Sequence, residues 1–300
     1  MIYNYGSINI DYIYHVPYFV RPGETQRCDG HSVGLGGKGA NQSLSIACAN
    51  GLVSHWGRVS SKDAWAVEEL KRAGVNVCDI ELTQQPSGHA VVQIDEQGEN
   101  SIILFPGVNH GAEKERLAFL LSKVKSGDTL LVQNECDGLG YIIPLAVSHG
   151  CNVIFNPAPM TADVSELPLD QCKLLFFNRT EAASLLEMPI ESSASDLLRK
   201  LRNKLGSAEI VLTLGSEGAW YLYNSETYFQ AALPVRAIDT TAAGDTFVGY
   251  FLAARQAGAE PFECLKRATA AAALAVQYRG AASSIPKAEE VDRLMRQEGM

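Results

Sequence analysis

With 300 residues, 46% of them hydrophobic, the chain carries enough apolar surface for one large α/β domain or two small ones. Its net charge of −9 comes without any cluster of Lys and Arg. That argues against a nucleic-acid binder, whose affinity comes from neutralising phosphates with basic patches, but leaves open an anionic small substrate in a locally positive pocket.

Residues 2–8 read as a first strand, with Asn9 and Asp11 at its end. Residues 12–35 are aromatic and β-branched, broken by Pro17, Pro22 and Gly23, and read as short strands and turns outside the main pattern. Residues 39–50 suit a helix stopped by Gly51, followed by a strand near 53–59 and a helix near 63–73. Residues 89–95 and 101–105 flank a polar turn and predict a hairpin. Beyond it strands at 129–133, 152–156, 173–177 and 209–214 alternate with helices at 113–124, 138–149, 180–187 and 194–205. A second hairpin is expected at 218–223 and 227–231 around Asn224 and Ser225, then helices at 243–257, 261–277 and 287–297.

Such alternation predicts a three-layer, Rossmann-like α/β fold, a mostly parallel sheet with helices on both faces. One domain spanning 1–300 is expected, with a small β lid from 12–35 and 88–106. Exposed strand edges in such an outgrowth are best covered by a second copy, which predicts a homodimer through the lid.

The seven cysteines (Cys28, Cys48, Cys78, Cys136, Cys151, Cys172 and Cys264) have neither Cys-x-x-Cys nor zinc spacing, so free thiols in a reducing cytosol are expected. The six histidines show no paired metal-ligand spacing. Residues 1–6 lack the basic-then-apolar pattern of a secretory signal, and no apolar run reaches the ~18 residues of a membrane span. A cytoplasmic protein is the expectation.

Residues 239–251 hold the most chemistry. Ala242, Ala243 and Gly244 precede Asp245 at a predicted helix start, where bare backbone amides attract an anion and a carboxylate stands ready to take a proton. Helix capping by Asp245 is the plainer alternative. Gly34, Gly36 and Gly39 match G-x-G-x-x-G, yet more than thirty residues precede the loop and residues 53–57 hold no acid, unlike a dinucleotide site. Gly39 follows Lys38 where a P-loop needs Ser or Thr. The loop reads instead as backbone brought close to a ligand, with Lys38 and Asn41 adding hydrogen bonds. Asn178 and Glu181 open a helix after an apolar strand, where capping is an alternative, and Thr213, Gly215 and Gly218 end another strand.

Taken in order, Asn9 and Asp11, the Gly37-Lys38-Gly39-Ala40-Asn41 loop and residues 239–251 resemble the defining motifs of the ribokinase-like sugar kinases, the PfkB family. The resemblance runs over nearly the whole chain. It departs at residues 60–66, where both glycines of the family's Gly-x-Asp-x-x-Gly are replaced and Asp63 is kept. It implies an ATP-dependent kinase that phosphorylates a primary hydroxyl of a pentose, D-ribose first, with 2-deoxyribose, a nucleoside or a silent sugar-binding regulator as alternatives. By resemblance Asp245 is the catalytic base, and the amides of Ala242, Ala243 and Gly244 are the anion hole. Asn9, Asp11, Gly37, Lys38, Asn41 and Glu135 contact the sugar. Asn178, Thr213, Gly215, Gly218 and Thr269 lie on the ATP side. Glu181 organises Mg²⁺ through water, and Asp239, Thr241, Ala275, Tyr278, Gly280 and Ser284 surround a monovalent cation, K⁺.

Overall fold

The computed structural model describes residues 1–300 except Ser225. Six parallel strands form its centre: β1 (Ile2–Tyr5), β4 (Val53–Trp56), β9 (Thr129–Gln133), β10 (Asn152–Asn156), β11 (Leu174–Asn178) and β12 (Glu209–Thr213). The antiparallel β13 (Gly218–Tyr223) and β14 (Glu226–Ala231) complete an eight-stranded sheet of order β14-β13-β12-β11-β10-β9-β1-β4. The turn of the second hairpin includes Ser225, outside the described residues.

Successive side chains of a strand face opposite ways, and here both ways are apolar. Leu131, Ile154, Leu174, Phe176 and Val211 face one core, with α1 (Lys38–Cys48), α2 (Ala64–Arg72), α7 (Ala243–Gln256), α8 (Pro261–Ala275) and α9 (Ala288–Gln297). Leu130, Val132, Val153, Phe155, Leu175 and Phe177 face the other, with α3 (Lys114–Leu121), α4 (Leu139–Ser148), α5 (Arg179–Leu185) and α6 (Ala194–Leu205). The three-layer α/β fold expected from the alternation is the one observed.

A smaller four-stranded sheet has the order β3-β2-β7-β8, from β2 (Asn9–His15), β3 (Gly30–Gly36), β7 (Gly88–Ile94) and β8 (Asn100–Phe105). Here one expectation is corrected. The first strand does not run to residue 8 with Asn9 and Asp11 at its end: β1 stops at Tyr5, and both residues belong to β2, in the other sheet. The cause is a close crossing of Gly6 and α1. A Cβ on Gly6 would lie 2.6 Å from Gly39 Cα and 2.5 Å from Gln133 Oε1, so the chain leaves the main sheet there. Likewise the strand expected at 53–59 divides at Gly57 into β4 and β5 (Arg58–Ser60). The latter pairs with β6 (Glu81–Thr83), a strand too short to read from periodicity. All seven cysteines are free.

Candidate active site

The site lies beyond the carboxyl ends of the parallel strands, where open α/β sheets bind ligands. Three segments meet there: the corner from β1 into β2, the turn from β3 into α1, and the residues after β9. Gly37 has φ 90°, a left-handed conformation that lets the chain turn from β3 directly into α1. Glu135 binds the corner together. Its Oε2 accepts from Ser7 Oγ at 2.5 Å and from the Lys38 amide at 2.9 Å. Asn9 is buried, and its Oδ1 accepts from Asn109 Nδ2 at 2.7 Å.

Asp11, two residues further along β2, sits against Gly36, where a Cβ would lie 2.1 Å from Asp11 Oδ2. Burial and the neighbouring Glu135 push its carboxyl up to about 7. Burial alone would lower the Lys38 ammonium. The carboxylates of Asp245, Glu135 and Glu181 outweigh that and hold it above its ordinary value. Lys38 is therefore a half-buried cation in the field of three acids drawn from distant parts of the chain.

Asp245 does not cap its helix. Its Oδ2 accepts from Asn41 Nδ2 at 3.1 Å and its Oδ1 from Gln42 Nε2 at 2.9 Å. The cap position of α7 is Ala242, in the left-handed region at φ 59°, with no side-chain cap. The Ala243 amide donates to Thr240 O at 3.3 Å, while among the described residues no protein group accepts from the amides of Gly244 and Asp245. The space beside Gly244 is open. The opening of α7 thus presents unpaired donors next to a fixed carboxylate, the arrangement an anion and a proton donor need.

Next along the sheet, Asn178 and Glu181 form a reciprocal cap at the start of α5. Glu181 N donates to Asn178 Oδ1 and Asn178 N donates to Glu181 Oε2, both at 2.8 Å. The cap leaves Glu181 buried, with Lys38 and Asp245 as its charged neighbours. Its carboxyl is raised by burial against the pull of the Asn178 amide and Lys38. Thr213 pairs with Asn178 across β11 and β12, and Gly215 and Gly218 follow with φ of 59° and 124°. Thr269 on α8 is buried, and its hydroxyl has no partner among the described residues. Arg179, which precedes Glu181 in the motif, pairs with Glu217 at 2.7 Å and donates to Ser192 O.

Asp239 joins two loops. Its oxygens accept from the amides of Thr241 and Gly280, each at 2.9 Å. Burial opposes its ionisation, but Thr241, Gly280 and Arg279 hold it below the ordinary carboxylate value. Tyr278 N donates to Ala275 O at 3.2 Å, and Ser284 is buried in the short helix that follows. Among the described residues no group of three His, Cys, Asp or Glu side chains is placed to hold a metal ion. His55 is enclosed, bonded to Ser43 Oγ at 2.8 Å, and pushed down to about 4 by burial.

The sequence reading gave no role to Ser7, Gln42, Asn109, Gln133 and Asn156, which hydrogen-bond to the candidate site residues or to one another. One signal was present: Gln133 and Asn156 are polar residues that follow the apolar runs Leu130–Val132 and Val153–Phe155, at the strand end where ligands bind.

The pfkB family carbohydrate kinase model matches residues 1–288, and the chain belongs to that family. It is therefore a phosphotransferase with an alcohol acceptor. Among similar proteins, the ribokinase of Schizosaccharomyces pombe is 35% identical over 96% of this chain and 95% of its own. The ribokinase of Haemophilus influenzae is 33% identical over 95% of each. The structure of Arabidopsis thaliana ribokinase complexed with ribose and ATP covers 98% of both chains, with a TM-score of 0.86 and 30% identity.

Proposed function

We propose that this enzyme transfers the γ-phosphoryl group of ATP to O5 of D-ribose, giving ribose 5-phosphate. The observation that carries the reading is the Asp245 carboxylate, fixed by two amides beside the open N-terminus of α7. The family relationship and the relatives described as ribokinases support the choice of sugar.

In this reading the sugar lies between β2 and α1. Asn9, Asp11, Lys38, Asn41 and Glu135 meet its hydroxyls, with the Gly37 backbone close against it. Asn41 keeps a buried Oδ1 without a partner among the described residues, an acceptor for a hydroxyl. Asp245 takes the proton of the primary hydroxyl as that oxygen meets phosphorus. Charge building on the transferred group is met by the amides at Ala242 and Gly244, where each preorganised donor is worth about 3–4 kcal/mol; the Ala243 amide, assigned to the anion hole by resemblance, instead donates to Thr240 O. Lys38, held in its charged form, adds a fixed positive charge near the same acids. Phosphoryl transfer asks little more of a protein than positioning and charge stabilisation.

ATP lies along Asn178, Thr213, Gly215 and Gly218, with the unpartnered hydroxyl of Thr269 bordering the base. A single buried carboxylate suits Mg²⁺, which keeps several waters, so Glu181 would hold it, where it supplies charge neutralisation at the phosphates. Asp239 and the carbonyls of Thr241, Ala275, Tyr278, Gly280 and Ser284 would hold K⁺. That set of hard oxygens, next to the opening of α7, would keep the loop in place. The smaller sheet acts as the lid of one kinase domain in the cytoplasm.

A coupled ADP-release assay across sugars and nucleosides with Mg²⁺ and K⁺ tests the reading. Turnover with D-ribose above all others is expected. Preference for 2-deoxyribose or a nucleoside replaces the substrate, and ribose binding without turnover replaces the enzyme by a regulator.

A further inference from the structure

Asp245 ends a chain of side-chain amides. Gln42 Nε2, which donates to Asp245 Oδ1, also donates to Asn156 Oδ1 at 3.0 Å. Gln42 Oε1 accepts from Gln133 Nε2 at 2.8 Å. Gln133 Nε2 donates in turn to Asn4 Oδ1 at 3.0 Å, and Asn4 Nδ2 donates to Gly39 O and Ser43 Oγ, both at 2.8 Å. Asn156 Nδ2 donates to Phe176 O at 3.2 Å. Asn4, Gln42 and Gln133 are completely buried, so none of the three reaches a substrate.

A carboxamide can present its oxygen or its nitrogen, and only the surrounding bonds decide which. Here backbone carbonyls, which only accept, decide it from both ends. Gly39 O requires the nitrogen of Asn4, so Asn4 turns its oxygen to Gln133. That oxygen requires the nitrogen of Gln133, which in turn requires the oxygen of Gln42. Independently, Phe176 O requires the nitrogen of Asn156, leaving the Asn156 oxygen for Gln42. Both constraints put the Gln42 nitrogen, and not its oxygen, against Asp245. A reversed Gln42 would set two acceptors against each other in the buried interior, where unpaired polar groups are costly.

We infer that Asn4, Gln133 and Gln42 form a polarised amide relay that holds the Asp245 carboxylate in a single orientation, with Gln42 and Gln133 as positioning residues for phosphoryl transfer. The inference rests on the reading of Asp245 as the base. Orientation matters because a small misplacement of a reacting group costs far more rate than affinity. The other donor, Asn41, has a role at the sugar as well. The charged neighbours of Asp245, Lys38 and Glu181, lie outside the relay.

The test uses the full chain and four variants: Gln42→Met, Gln133→Met, Gln133→Glu and Asp245→Asn. Sugar affinity is measured by calorimetry without ATP, turnover by ADP release and folding by Tm. Gln42→Met is expected to lower kcat about 10²-fold, with sugar Kd and the KM for ATP changed less than about threefold, a split that loss of folded protein would not produce. On the residual activity of Asp245→Asn it is expected to have no further effect, because the two act as a unit. Gln133→Glu offers only acceptors to Gln42 and Asn4, favours the reversed Gln42, and should lower kcat more than Gln133→Met. If Gln133→Glu fails to fold, the Met variants decide. Gln42→Met with parental kcat, or with a loss fully additive to that of Asp245→Asn, overturns the relay alone. Parental activity in Asp245→Asn overturns the base assignment itself.

Discussion

Asp11 is a carboxyl held against its own ionisation. Burial and Glu135 push it up to about 7, whereas an unfolded chain leaves an Asp near ~3.9. The folded state therefore binds the extra proton between these values, and stability falls as pH rises through that window. A bound sugar changes the sign of the local constraint. Hydroxyls donating to the carboxylate favour the charged form and lower its pKa. Sugar binding at pH 6–6.5 should then release up to one proton, and above pH 8 almost none. Calorimetry in buffers of different ionisation enthalpy measures this. Asp11→Asn should remove the release; a parent-like release in that variant would assign the proton to another group.

At the scale of elements, the opening of α7 is a strained turn. Ala242 occupies the left-handed region, where an L-residue costs about 1–2 kcal/mol and glycine costs little. The strain lies beside the unpaired amides of Gly244 and Asp245, where a tight turn aims donors outward. Ala242→Gly should stabilise the protein by about 0.5–1 kcal/mol, less than the full strain because glycine gains entropy in the unfolded chain. Ala242→Val should destabilise it by at least as much, since a branched side chain resists positive φ more strongly. Denaturant melts of both variants check this; the reverse order would mean that the turn is not strained.

At the scale of the whole molecule, the smaller sheet is unfinished. Its edge strand β8 exposes Ile102, Ile103, Leu104 and Phe105, with Ile103 66% exposed. An exposed apolar edge invites pairing with another chain. We propose that a second copy of the chain, paired through the same sheet, covers it. Ile103→Lys should shift sedimentation at micromolar concentration from dimer to monomer while leaving Tm nearly unchanged. A parent that already sediments as a monomer would remove the dimer.

Much of this protein could be read from its residues. The alternation of apolar strands and amphipathic helices is a local signal, because a strand buried on both faces is apolar throughout and a helix on a sheet is apolar on one side. Candidate site residues could be picked out too, since glycines, acids and amides at loop positions stand out from a core pattern. What stayed hidden depended on contacts between distant parts of the chain. The transfer of Asn9 and Asp11 to the smaller sheet follows from Gly6 meeting Gly39. The amide relay joins residues 4, 133 and 42 to 245, with Asn156 fixing Gln42 from the side, and no single segment shows its polarity. The sequence by itself determined which groups are available and on which kind of element each stands. Only the tertiary structure decided which of them meet and which end of each amide faces Asp245, because hydrogen-bond direction is set by partners that folding brings together.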